Sequence, residues 1–312
     1  MSRYLFFPEV EAVLMGIRKL RGVLTSRFVR QCVLLLLVVC LSAGAVYAGK
    51  VRTLGQRLDE LKKIHGRFSF VVLGDIRSGG DTYSRLVKRA MEFKPDFVVN
   101  TGDMIFLPSP KLWAEFWQRS RPITVPYFLT VGNHDVDAFM GEDLYKKEVD
   151  LPGNELYYSF GVGDSLFVCL DSNIPGQEKK ITDEQYKWLK GILSTPGYKH
   201  KFVFVHHPLY PEKGKGNYYE ESMDKYPAER DRLEALLVES KVNMVFVGHE
   251  HLYLRKAVDG IIQIITGGGG APLYVSDKDG GFHHFVLITV DGDTVTGKVV
   301  DISGKIRDAF TR

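Results

Sequence analysis

The chain has little cysteine: only Cys32, Cys40 and Cys169 among 312 residues. No CxxC spacing occurs, so neither a thiolate zinc site nor an intradomain disulfide framework is expected. Cys169 lies in an apolar run and reads as a small buried hydrophobe. A charge excess is also missing. The net charge is +3, but residues 1–50 hold seven Lys/Arg against two Asp/Glu, leaving 34 basic and 36 acidic residues for the remainder. That balance gives no electrostatic argument for nucleic acid, and no such partner is expected. No internal repeat or low-complexity segment is present. The run Gly267 to Gly270 is followed by neither Lys-Ser/Thr nor a helical pattern. A phosphate-cradling loop is therefore the less favoured reading, and a tight loop with close backbone approach is expected.

One long uncharged run is present. Cys32 to Ala48 carries no charge and follows Arg18, Lys19, Arg21, Arg27 and Arg30. It reads as a hydrophobic transmembrane helix or as a cleaved signal, with Val46-Tyr47-Ala48 a passable cleavage site. Both readings place a basic leader, 1–31, in the cytoplasm and the chain beyond 48 on the other side. The protein is then single-pass in the cell membrane with an extracytoplasmic domain, or secreted if the signal is cut. A buried core helix is the alternative. Residues 49–66 are expected to be a polar linker or short helix, and 67–312 the folded domain.

From residue 68 strand and helix patterns alternate. Strands are expected at Phe68 to Leu73, Phe97 to Asn100, Tyr127 to Val131, Phe202 to Val205 and Val242 to Val247. Helices are expected around 83–93, 111–119, 182–193 and 228–240. Thr182 with Gln185 three residues on forms a capping-box signature. Tyr157 to Phe160 and Leu166 to Leu170 flank a glycine-bearing turn and read as a hairpin. After Leu252 only strands follow, at 254–258, 261–266, 285–290 and 295–300, with Asp259-Gly260 and Asp291-Gly292-Asp293 as turns. The expected fold class is α/β: two packed mixed β-sheets flanked by helices, preceded by the N-terminal hydrophobic helix.

Five short runs bring chemistry to the ends of these strands: Gly74-Asp75, Gly102-Asp103, Gly132-Asn133-His134-Asp135, His206-His207 and Gly248-His249-Glu250-His251. Open α/β sheets place their sites at strand ends. Carboxylate, amide and imidazole without thiolate suit a hydrolytic divalent ion such as Mn, Fe, Zn or Mg. On an extended segment, His249 and His251 would face the same way while Glu250 points elsewhere. His207 would face away from His206, toward structure or substrate. The polar loop 209–227 and the insertion 136–155 flank these runs and could shape a pocket.

In order and spacing, these runs over residues 67–301 resemble the calcineurin-like metallophosphoesterase family. The resemblance implies an αββα sandwich and two divalent metal ions. Asp75 and His251 would bind the first, and Asn133, His206 and His249 the second. Asp103 would bridge the two, since a carboxylate can span ions about 3.5–4 Å apart. His134 would be the general acid and Asp135 would orient its ring. The implied reaction is attack of a metal-bridged hydroxide on the phosphorus of a small phosphoester. A phosphodiesterase or pyrophosphatase acting on nucleotide or lipid-linked substrates is the alternative, and a non-catalytic scaffold a further one. One position departs from the pattern: Arg77 stands where the family usually has a His ligand, and a guanidinium offers no lone pair. Arg77 is expected to clamp a substrate phosphate or to pair with a carboxylate such as Asp75. The first ion would then be held more weakly. Phe106 stands where purple acid phosphatases have a ligand Tyr, which excludes a tyrosinate–iron pair. Substrate, metal identity and oligomeric state are not set by the sequence.

Overall fold

Apolar residues crowd both faces of the central strands because each of two sheets is covered twice, once by the other sheet and once by helices. The computed structural model describes residues 53–137, 141–212 and 221–312. The first sheet has the order β12-β11-β10-β1-β2-β3, built from β1 (Phe68–Leu73), β2 (Phe97–Asn100), β3 (Tyr127–Leu129), β10 (His284–Asp291), β11 (Thr294–Asp301) and β12 (Ile306–Thr311). The second runs β4-β5-β6-β7-β9-β8, from β4 (Tyr158–Val162), β5 (Ser165–Cys169), β6 (His200–Phe204), β7 (Met244–Val247), β8 (Tyr253–Val258) and β9 (Ile261–Thr266). Strands β1 to β3 pair in parallel, as do β5, β6, β7 and β9, while the remaining pairings are antiparallel. Both sheets are therefore mixed, as expected.

Between the sheets lies an aromatic core. Phe70 of β1 meets Phe97 at 5.1 Å and, across the layer, Phe167 and Phe202 at 5.2 Å each between ring centroids. A second apolar cluster joins the outer face of the second sheet, through Val203, Val205 and Val245, to α6 (Asp183–Leu193) and α7 (Pro227–Glu239). On the first sheet α2 (Gly80–Glu92) and α3 (Pro110–Ser120) supply the cover, with Tyr83, Leu86, Val87, Trp113 and Phe116 buried.

Several expectations are revised. The segment expected as a linker supplies α1 (Leu54–Leu61), capped by a reciprocal Thr53–Gln56 box. Its Leu61 is buried, and Arg57 donates to the carbonyls of Tyr127 (2.9 Å) and Asp150, so α1 belongs to the folded unit. The capping box at Thr182 does not form, although α6 starts there. Gln185 instead pairs with the backbone of Asp171, accepting from its N–H at 2.8 Å and donating to its carbonyl at 2.7 Å. Two short helices, α4 (Asn133–Val136) and α5 (Gly141–Glu148), and the edge strand β12 were not anticipated. The hydrophobic run 32–48 lies outside the described residues. Among the described residues no helix is long and apolar enough to cross a membrane.

Candidate metal centre

The carboxyl ends of the parallel strands in both sheets open on the same edge, and that edge gathers the side chains. Asp75 follows β1, Asp103 follows β2, Asn133 opens α4 after β3, His206 follows β6, and His249 follows β7. Asp75, Asp103 and His249 all take positive φ, at 60°, 57° and 68°. Left-handed backbone at non-glycine residues costs free energy and clusters at functional sites. The sharp turns aim these side chains inward at once. They also correct the extended reading of the last motif: His249 kinks the chain, and Glu250 turns away to accept from the Glu212 N–H at 2.9 Å.

One group of donor atoms comes from Asp75, Asp103 and His251, all within 4.8 Å of one another and all buried. The His251 Nε2 stands 3.6 Å from Asp75 Oδ1. A second group centres on Asn133 Oδ1, which lies 3.0 Å from His206 Nε2 and 3.2 Å from His249 Nδ1. Asp103 reaches this group too, with Oδ1 at 3.3 Å from His206 Nε2. All six expected ligands therefore meet in one place, with Asp103 common to both groups.

The protonation pattern tests whether a cation fits. The His206 Nδ1 lies 2.9 Å from the Thr101 carbonyl, and the His251 Nδ1 lies 2.7 Å from the Pro272 carbonyl. Each Nδ1 must donate, because a carbonyl only accepts. Burial lowers the pKa of His206 and takes that of His251 down to about 4, so both rings are neutral. Their Nε2 atoms are then bare acceptors. The lone pairs of His206 Nε2, Asn133 Oδ1 and Asp103 Oδ1 face one another with no proton of the ring between them. Burial, followed by the neighbouring Asp103, also pushes the Asp75 pKa well above the usual carboxylate range. A divalent cation would relieve both conflicts, and backbone carbonyls on the far ring nitrogens are the usual support for histidine ligands. The residues fit the implied metals.

His134 lies beside these groups. Its Nε2 is 4.0 Å from Asp103 Oδ2, and its ring is oriented by the Phe106 carbonyl, 2.7 Å from Nδ1. The orienting task expected of Asp135 falls to that carbonyl. The Asp135 carboxylate instead accepts from the backbone N–H of Asp103, Met104, Ile105 and Gly132. It clamps the loop after β2 to the loop after β3, thereby fixing Asp103 relative to Asn133. His207 packs behind the ligands, with its ring 4.5 Å from that of His249 and Nδ1 2.8 Å from Ser172 Oγ.

Arg77 is half-buried at the rim, with φ +48°. It makes no ion pair with Asp75. Its guanidinium lies 5.2 Å from the centroid of Phe106 and 3.5 Å from the Tyr274 hydroxyl. Two aromatic residues line the rim: Phe106, stacked on His134 at 5.6 Å, and Tyr274, stacked on His251 at 4.6 Å, of which only Tyr274 had no signal in the sequence. Two glycines admit the close approaches. Gly102 has φ +104°, and a Cβ there would lie 2.6 Å from His206 Nδ1. A Cβ on Gly267 would strike the Glu250 carbonyl and lie 3.1 Å from Asp75 Oδ2.

Residues 57–253 match the calcineurin-like phosphoesterase family. Purple acid phosphatase 21 of Arabidopsis thaliana is 29% identical over 237 residues, covering 68% of this chain and 49% of that protein. The glycerophosphodiester phosphodiesterase GpdQ of Enterobacter lignolyticus is 30% identical over 193 residues, covering 60% of this chain and 66% of that protein. The chain thus spans about half the length of the plant relative. Among solved structures, the purple acid phosphatase PPD1 from yellow lupin seeds superposes with a TM-score of 0.67 at 20% identity, over 78% of this chain and 53% of that one. That last likeness concerns the fold alone.

Proposed function

This chain belongs to the calcineurin-like phosphoesterase family, and from that premise we propose that it is a metal-dependent phosphoric ester hydrolase. The observation that carries the reading is the convergence of acceptor lone pairs from Asp103, Asn133 and His206 beside the Asp75–His251 group. Asp75, Asp103 and His251 would hold one divalent ion, and Asp103, Asn133, His206 and His249 the other. When bound, two such ions supply Lewis-acid charge for the phosphoryl oxygens and lower the pKa of water.

The chain's own groups do the rest. His134 carries a proton on Nε2 when charged, or on Nδ1 when neutral and bonded to the Phe106 carbonyl. In the charged form it can donate from Nε2 to the departing alkoxide. Arg77 offers a planar, permanently charged fork at the mouth of the site, suited to two phosphoryl oxygens. Asp135 keeps the two ligand-bearing loops in register. Residues 32–48 would tether the domain to the cell membrane on the extracytoplasmic side, or be removed on secretion. A β-lactamase fusion after residue 50 that leaves its host ampicillin-sensitive would rule out both.

The test is Asp103→Asn. It should abolish divalent-ion-dependent hydrolysis of p-nitrophenyl phosphate while circular dichroism stays unchanged. Hydrolysis persisting in a metal-stripped sample would refute the mechanism. GpdQ by its name acts on diesters, so bis(p-nitrophenyl) phosphate belongs in the same assay. Faster turnover of the diester would select the phosphodiesterase reading over the phosphomonoesterase one.

A further inference from the structure

Resting on the phosphoester reading above, we propose that the Phe106 side chain selects the organic part of the substrate, favouring phosphoesters of flat aromatic alcohols. Large apolar side chains left half in water are few among the described residues, and three of them sit in the loops of this site or directly beside it. Phe106 is 47% exposed, Leu107 48% and Tyr274 49%. Their placement is not random. A continuous arc of contacts runs from the ring of His134 to Phe106 (5.6 Å), to the Arg77 guanidinium (5.2 Å), to the Tyr274 hydroxyl (3.5 Å), and back to His251 through the Tyr274 ring (4.6 Å).

The chemistry gives this arc a direction. The bond that breaks joins phosphorus to the alcohol oxygen, which takes a proton from His134 and leaves with both bonding electrons. That oxygen must therefore lie at the His134 ring, and the carbon skeleton attached to it must extend outward past that ring. The side chain stacked there is Phe106. Arg77 lies between the two aromatic residues, 5.2 Å from the Phe106 ring and 3.5 Å from the Tyr274 hydroxyl, where its fork would meet the phosphoryl oxygens of a bound ester. A flat alcohol can lay its ring on the exposed part of Phe106 and on the edge of the guanidinium together. An aliphatic polyol such as glycerol gains little from either surface. Aromatic pairs favour offset or edge contacts and add to simple area burial, so the ring should be worth about tenfold in affinity.

Two phosphonates that differ by the ring alone test this without turnover. Calorimetric titration of phenylphosphonate and methylphosphonate into the purified protein with Mn2+ added should show the phenyl compound binding about tenfold more tightly. Phe106→Ala should bring the two to within about twofold. Phe106→Leu keeps apolar area without a ring and should recover less than half of the lost preference on a logarithmic scale. Unchanged melting of both variants confirms that the fold is intact. A phenyl preference that survives in Phe106→Ala overturns the proposal, as does equal binding of the two phosphonates to wild type. Failure of both phosphonates to bind wild type removes the hydrolase reading itself, and this one with it.

Discussion

His134 is bonded to Asp103 through the backbone, its N–H donating to Asp103 Oδ1 at 3.0 Å, while the His134 Nε2 faces Oδ2 of the same carboxylate at 4.0 Å. His134 and the residue shared by both donor groups therefore cannot move independently. Positive φ at Asp103 and the one-turn helix opened by Asn133 create that coupling. It explains how a flexible-looking motif of small and polar residues becomes a rigid constellation.

Removing the His134 imidazole should leave this frame standing. His134→Gln is expected to lower kcat by about 10²–10⁴ for esters of poor leaving groups, the usual share of a general acid. The loss should shrink for p-nitrophenyl phosphate, whose phenolate departs without help. Metal content by elemental analysis should match wild type. An equal loss on both ester types would show that the residue acts otherwise.

Gly102→Ala should act through His206. The added Cβ would crowd His206 Nδ1, which is bonded to the Thr101 carbonyl, and the backbone φ of +104° disfavours any side chain. Disturbing the support of a histidine ligand typically costs 10–100-fold in metal affinity. Titration of the apo protein with Mn2+ should show a loss of about that size.

Asp171 gives a pH dependence independent of the metals. Burial raises its pKa to about 7, outweighing the Asn173 N–H that it accepts at 2.7 Å. The folded chain thus holds a proton that the unfolded chain, with an ordinary value of 3.8, has released. Stability from this group is present below about pH 4 and falls as pH rises toward 7. Asp171→Asn should therefore raise stability at pH 8, by at most about 4 kcal/mol, and leave it nearly unchanged at pH 4. Urea denaturation at the two pH values checks the sign.

The aromatic layer between the sheets should dominate stability. Phe70 is fully buried against Phe97, Phe167 and Phe202. Phe70→Ala is expected to cost about 3–5 kcal/mol, read as a shift in the urea midpoint.

Much of this was legible in the sequence, for identifiable reasons. Buried strands announce themselves as apolar runs, so Phe68–Leu73, Phe97–Asn100 and Ile261–Thr266 have the limits expected of them. Asp, Asn and His at their ends stood out because cores exclude them. What stayed hidden depends on contacts distant in sequence. Three of the four amide partners of Asp135 lie about thirty positions upstream, and no local pattern encodes those three. Edge strand β12 is largely solvent-facing, and its pairing rests on β11 more than on its own apolar content. Tyr274 lies in a loop without periodicity, so only the fold reveals that it borders the site. The capping-box signature at Thr182 misled because Gln185 found a better use in pairing with the Asp171 backbone.

On the proposed reading, Asp75, Asp103, Asn133, His206, His249 and His251 together hold two divalent ions. Elemental analysis of the purified protein, after dialysis against each candidate metal, tests it most directly. Two ions per chain in wild type and fewer than one in Asp103→Asn, with both proteins folded, is the predicted result. Less than one ion per folded wild-type chain under every metal tried would contradict it.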